Sequence, residues 1–257
     1  MSDGNKNLVL LGGDNPTTWI VYNELVSQFG LFPIIIEKSL SRSTLIKNRI
    51  KKLGLPRVLG QIGFAAVVRP ILFWRDRDRI AFLRRKYGME QTPPVSSVIH
   101  HVSNVNDASC HELMMALKPD IVIVNGTRIL SKNTLAKIKA PIINTHQGIT
   151  PGYRGAHGAY WAMVQNDKSN CGVTVHLVDE GIDTGNIIAQ AIIEPEKEDS
   201  FVTYSFLQTA AALNLLVEAI RKIRAGNIQT VPISGPSAVW YHPGMFEYIG
   251  NALRGVR

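Results

Sequence analysis

Residues 141–190 read PIINTHQGITPGYRGAHGAYWAMVQNDKSNCGVTVHLVDEGIDTGNIIAQ. A short apolar run, residues 141–143, ends at Asn144, and His146 follows in a loop rich in Gly and Pro. A second apolar run, residues 172–178, ends in the acidic, glycine-punctuated loop 179–185, which carries Asp183. Both runs have the length of strands. Open α/β sheets place their chemistry just beyond the carboxyl ends of strands. Asn144, His146 and Asp183 are therefore the candidate catalytic residues.

Outward from this stretch, apolar runs alternate with helical patterns. Residues 8–11, 33–37, 98–102, 120–125 and 141–144 read as strands, and 17–29, 110–117 and 131–138 as helices. Such alternation predicts an α/β fold, a Rossmann-like, mainly parallel sheet with helices on both faces. Residues 172–177 and 186–193 are close in sequence and are expected to pair antiparallel at one edge. A long amphipathic helix is expected over 201–224, ended by Gly226. Residues 1–230 are expected to form one catalytic domain with a helical insertion at 38–90. The proline-containing residues 231–257 form a wrapping tail.

Asn144–Thr145–His146, then Pro151–Gly152–Tyr153–Arg154–Gly155, then the loop from Asp179 to Gly185 stand in fixed order. Upstream lies Gly126–Thr127–Arg128–Ile129–Leu130, after a strand. In these elements the chain resembles the folate-dependent formyltransferases, well over residues 90–225 and loosely over 5–37. The ordered combination is far more specific than any one triplet. The resemblance implies 10-formyltetrahydrofolate as cosubstrate, held by Thr127, Arg128, Ile129 and Leu130 on one side. Val178, Asp179, Glu180, Gly181 and Ile182 would close the other side. It also implies an acceptor contacted by Gly12, Gly13, Tyr153 and Arg154, with no metal.

The chemistry explains the residue types. Formyl transfer to an amine passes through a tetrahedral oxyanion, and a preorganised donor there contributes about 3–4 kcal/mol. Asn144 offers an amide. His146 can donate when protonated, its ordinary pKa being near the working pH. Asp183 can hold His146 and relay protons. His100, His101, His157 and His176 read as structural, and Tyr160 and Trp161 as a packed helix face.

The first strand ends in Gly12–Gly13–Asp14–Asn15–Pro16. A glycine pair before a helix can admit a phosphate, but the full dinucleotide fingerprint is missing and a tight turn explains the pair as well. The glycinamide ribonucleotide formyltransferases carry a Gly- and Ser-rich loop here, where this chain has Pro16–Thr17–Thr18–Trp19. The initiator-tRNA formyltransferases add a C-terminal barrel for which residues 231–257 are too short. The expected acceptor is a small acidic molecule, an amino sugar on a nucleotide. Alternatives are glycinamide ribonucleotide, an amino-acid metabolite, or an inactive scaffold that binds membrane or RNA.

Residues 38–86 hold 14 of the 28 Lys and Arg against only Asp76 and Asp78. The segment is open to three readings: a solvated basic helix, a patch for an acidic substrate, or peripheral membrane contact through residues 42–86. Duplex nucleic acid is not expected, because no reading motif accompanies the charge. A homodimer is compatible with everything above. The apolar run 59–74 is interrupted at Arg69–Pro70, so no run is expected to reach the roughly 20 residues of a spanning helix. With 45% apolar residues the chain is globular. Its N-terminus lacks the pattern of a signal peptide. Cys110 and Cys171 have no metal spacing and are expected reduced, in a cytoplasmic protein.

Overall fold

In the computed structural model, residues 7–257 are described. Residues 1–6, on which part of the signal-peptide reading falls, lie outside them. The chain runs β1 (Leu8–Gly13), α1 (Pro16–Phe29), β2 (Ile34–Glu37), α2 (Arg42–Leu53), α3 (Leu55–Gly63), α4 (Arg69–Arg75) and α5 (Arg77–Lys86). It continues through β3 (Ile99–Val102), α6 (Ala108–Leu117), β4 (Ile121–Asn125), α7 (Lys132–Lys137), β5 (Ile142–His146), β6 (Arg154–Gly155) and α8 (Gly158–Val164). The last elements are β7 (Gly172–Leu177), β8 (Ile187–Ile192), α9 (Phe201–Arg224), β9 (Val239–Trp240) and α10 (Met245–Leu253).

Seven strands form one sheet in the order β3-β2-β1-β4-β5-β7-β8. The first five are parallel; β7 and β8 run antiparallel at the edge, as the short connection between them predicts. The parallel strands are apolar on both faces because helices cover both. Leu8, Leu10, Ile34, Ile36 and Ile123 pack under α1 and α9. Their alternate neighbours Val9, Leu11, Ile35 and Val122 pack under α6. A sheet with two dry faces leaves only its strand ends for polar chemistry.

A third core sits beside the sheet. Phe64, Leu72 and Leu83 from the insertion meet Tyr160 and Trp161 of α8, Phe201 and Tyr204 of α9, and Tyr248 of α10. Ion pairs lock the insertion in place. Arg79 makes two bonds to Asp199, at 3.0 and 2.9 Å, before the start of α9. Arg75 binds Asp76, which also accepts from Ser200. Arg79 and Asp76 of the insertion are therefore its anchors to the start of α9. A buried carboxylate such as Asp199 needs such a partner to offset desolvation.

The helix continues through Arg69–Pro70. A π-helical turn, Phe64–Val68, links α3 to α4, and the helix runs unbroken over Leu55–Arg75, 21 residues. Proline lacks an N–H and crowds the carbonyl four residues earlier, and a wider turn relieves both problems. By length and composition this helix could cross a bilayer, which corrects the expectation above. Phe64 and Leu72, however, are pinned in the third core.

Residues 231–257 tie the insertion to the sheet. β9 pairs with β6, Trp161 donates its indole N–H to Tyr241 O, and Gln61 donates to His242 O. His157 and His242 face each other at 2.8 Å. Burial pushes His157 down to about 3 and His242 to about 4, with the nearby Arg49 and Arg69 charges acting the same way. In the unfolded chain both titrate near 6.5. As pH falls through that value the unfolded chain binds protons and the folded chain does not. Stability is therefore complete above about pH 6.5 and falls steadily between 6.5 and 4. We expect a loss of about 1–2 kcal/mol per histidine from pH 6.5 to 5, read as a falling urea midpoint. His242→Gln should flatten that slope. The buried His146, also held low, contributes a remainder of the same sign. A midpoint independent of pH would contradict this account.

Candidate active site

β5 presents Asn144 and His146. They are two residues apart on a strand, so both side chains leave the same face. On the neighbouring antiparallel strand β7, His176 lies opposite Asn144 and Thr174 opposite His146. Directly opposed residues on one face are neighbours, and His176 Nε2 is 3.2 Å from Asn144 Nδ2. The His176 Nδ1–H donates to Leu177 O at 2.7 Å. That bond leaves Nε2 as an acceptor, so Asn144 donates to it. The amide is thereby held in one orientation with its second N–H unspent.

His146 is 6% exposed. Its Nε2–H donates to Tyr153 O at 2.7 Å, and its Nδ1 faces Asp183 Oδ2 at 3.3 Å. Burial lowers the His146 pKa, while Asp183 and the Tyr153 carbonyl work against that. The ring is thus neutral at rest. The expectation of an imidazole poised near the working pH gives way, because a ring this deep loses its hydration. Gly148 makes the arrangement fit: a Cβ there would overlap the Tyr153 carbonyl and come 2.8 Å from His146 Nε2.

Asp183 comes from the loop after β7. It has φ 51°, a left-handed conformation that Asp tolerates better than most residues. Oδ2 accepts from Gly155 N at 3.1 Å, and Oδ1 lies 3.7 Å from His176 Nε2. Desolvation pushes its pKa up, yet it is held below the ordinary value, and the bond from the Gly155 N–H favours the ionised form. The loop itself is pinned. Asp179 accepts from Gly181 N and from the Thr184 hydroxyl, and Arg154 Nη1 donates to Ile182 O. Gly185 packs so closely under the Leu177 carbonyl that no side chain fits there.

These groups line a cavity of about 310 Å³. Thr127, Arg128, Ile129 and Leu130 form one wall; Val178, Asp179, Gly181 and Ile182 form the other; Asn144, His146, His176 and Asp183 lie with them. The Arg128 side chain turns to Glu37, Lys38 O and Ser103 O, so its guanidinium is spent within the protein. Glu37 is buried at the end of β2 and accepts from Val105 N and Arg128 N, which sets the wall's position.

The structure places several predicted contacts elsewhere. Glu180 points outward and pairs with Lys132 at 2.6 Å. Tyr153 is buried and its hydroxyl donates to Asp167; its share in the site is the carbonyl that holds His146. Arg154 clamps the Asp183 loop and leaves its buried Nε without a partner. Gly12 and Gly13 pack tightly against Thr18 and Gly126, which is close-packing rather than an open phosphate loop. Asn15 caps α1 by accepting from Thr18 N. Asn15 and Thr17 instead line a cavity on the other side of His146. His176 was read as structural; the missing signal was strand pairing, since residues 172–177 set against β5 put it opposite Asn144. Nothing in the sequence marks Glu37, whose role depends on two loops from distant positions.

The formyl transferase family pattern matches residues 82–220, more than half of the chain. This protein belongs to that family. Methionyl-tRNA formyltransferase from Chlorobium chlorochromatii is 33% identical over 179 residues, covering 66% of this chain and 54% of the relative. The chain thus spans about half the length of the curated relatives it matches. Among solved structures, a sugar N-formyltransferase from Shewanella superposes with a TM-score of 0.58 at 14% identity, covering 91% of this chain and 76% of the other. The formyltransferase PseJ from Anoxybacillus kamchatkensis, solved with UDP-4,6-dideoxy-4-formamido-L-AltNAc and tetrahydrofolate, gives 0.50 at 18%, covering 91% and 85%. At these identities the structures share the fold with the formyl transferase described here.

Proposed function

We propose that the protein transfers a formyl group from 10-formyltetrahydrofolate to the primary amine of an amino sugar carried on a nucleotide. The observation that carries the reading is the meeting of Asn144, His146 and Asp183, from two strand ends, in one cavity between the walls 127–130 and 178–182. A folate fits that cavity by its donors: backbone groups of 128–130 and 178–182 suit a pterin edge, and the spare Asn144 N–H suits a carbonyl. The cosubstrate supplies an activated formyl carbon; the protein supplies position and proton transfer.

Asn144 donates to the formyl oxygen as negative charge grows there, and His176 keeps the amide aimed. Neutral His146 accepts the proton of the incoming amine at Nδ1. Asp183, ionised, stabilises the imidazolium so formed. The proton then returns from Nδ1 to the leaving nitrogen. One C–N bond forms, one breaks, and His146 ends as it began.

Support for the acceptor class comes from a second cavity, of about 290 Å³, that meets the first at Gly155 and Ile182. Arg49 and Lys52 of α2 line it with Trp240 and Tyr241. Two cations suit a diphosphate and two aromatic rings suit a base or sugar face. The buried, unpaired cysteines fit a reducing, cytoplasmic setting.

The test is incubation with 10-formyltetrahydrofolate and a panel of amino-sugar nucleotides, with glycinamide ribonucleotide and methionyl-tRNA as further arms, read by mass spectrometry. Gain of one formyl group on an amino-sugar nucleotide is the expected result. Arg49→Gln/Lys52→Gln should raise its KM by roughly 10-fold or more, with kcat little changed. Formylation of glycinamide ribonucleotide or methionyl-tRNA alone would replace the acceptor, and no transfer in any arm would refute the activity.

A further inference from the structure

We infer that the helix Leu55–Arg75, with the basic helices α2 and α5 on either side of it in the chain, docks the protein on an anionic membrane surface. Leu55, Leu59, Ile62, Val67, Ile71 and Trp74 on this helix are all exposed, Leu59 at 57% and Trp74 at 70%. No charged residue occurs between Arg57 and Arg69. A soluble helix that packs one face in a core normally turns polar residues outward. This one buries Phe64 and Leu72 and is apolar on its solvent side as well.

The helix does not span. Phe64 lies 4.9 Å from the Phe201 ring and 5.2 Å from the Tyr248 ring, so one side is held by the protein. Only 22% of its most apolar window is buried. It therefore offers a fixed apolar strip, held parallel to the surface of the fold. α10, which contacts α3, adds exposed Phe246, Ile249 and Leu253, spaced along one helical face.

Charge decides what covers the strip. Residues 42–86 carry thirteen Lys and Arg against Asp76 and Asp78. Asp76 is taken up by Arg75 and Ser200. α2 bears five cations and no carboxylate, and α5 ends in Arg84, Arg85 and Lys86. Among the described residues none of these eight has an acidic partner within 4.0 Å. Arg69 lies over Phe73 and Arg77 over Trp74, so cations and aromatics mix at one end of the strip, as at a lipid headgroup boundary. A second copy of this chain would bring the same positive charge to the contact. Anionic headgroups supply the complement, and apolar insertion with basic flanks is how interfacial helices bind.

The test uses the full chain with vesicles of phosphatidylcholine, with and without phosphatidylglycerol, followed by co-sedimentation and tryptophan emission. The expected result is binding to the anionic vesicles only, weakened by salt, with a blue shift from the exposed Trp74. Arg84→Gln/Arg85→Gln/Lys86→Gln should weaken binding roughly 10²-fold, at about 1 kcal/mol per cation. Leu59→Gln/Ile71→Gln should abolish the blue shift; both positions are exposed, so the fold is retained, which circular dichroism checks. Failure of the parent protein to bind anionic vesicles would overturn the inference. Equal binding to neutral vesicles would do the same. So would a dimer in light scattering that Leu59→Gln dissociates, since the strip would then belong to a second copy.

Discussion

Asn144→Ala lowers turnover by roughly 10²- to 10³-fold while leaving 10-formyltetrahydrofolate affinity almost unchanged. The amide is preorganised: His176 Nε2 takes one N–H at 3.2 Å and the other is unspent. Losing a donor aimed at developing charge costs about 3–4 kcal/mol in the transition state and little in the ground state. His146→Ala is expected to cost a similar factor through lost proton transfer. His176→Ala separates aiming from donation. It should lower turnover by roughly 10-fold, because the amide remains but is free to rotate. Single-turnover formyl transfer to the accepted amine checks all three. Near-wild-type turnover in Asn144→Ala and His146→Ala would remove both from the mechanism. If His176→Ala equalled Asn144→Ala, His176 would itself touch the reacting groups.

Glu37→Ala destabilises the protein by about 3–5 kcal/mol, the usual result of removing one partner from a buried ion pair. Glu37 is 4% exposed and pairs with Arg128 at 3.2 Å. It also accepts from Val105 N at 2.9 Å and Arg128 N at 2.8 Å. Alanine leaves the arginine without its carboxylate and strands both backbone N–H groups. Because Arg128 belongs to the cavity wall, folate affinity should fall along with the urea midpoint. Glu37→Gln keeps the shape and should recover part of both. A drop in folate affinity with an unchanged midpoint would mean that Glu37 acts on the ligand rather than on the wall.

The sheet was legible because its signals are local. Parallel strands buried on both faces must be continuously apolar, and residues 8–11, 121–124 and 141–143 are so. Asn144, His146 and Asp183 were legible by order and spacing, as was the antiparallel edge from the short link between β7 and β8. What the chain order could not convey was contact between distant segments. Glu37, His176 and the Tyr153 carbonyl become part of the site only when β2, β5 and β7 lie side by side. Arg79 looks like free charge in sequence, and only docking of α5 against the start of α9 reveals Asp199 as its partner. His146 shifted for the same reason: its neutrality at rest comes from burial, which no residue type encodes. Local patterning determined the strands and the helices, and the ordered motifs marked the candidate residues. Burial and cross-strand register, which exist only in three dimensions, decided how those residues are aimed and charged.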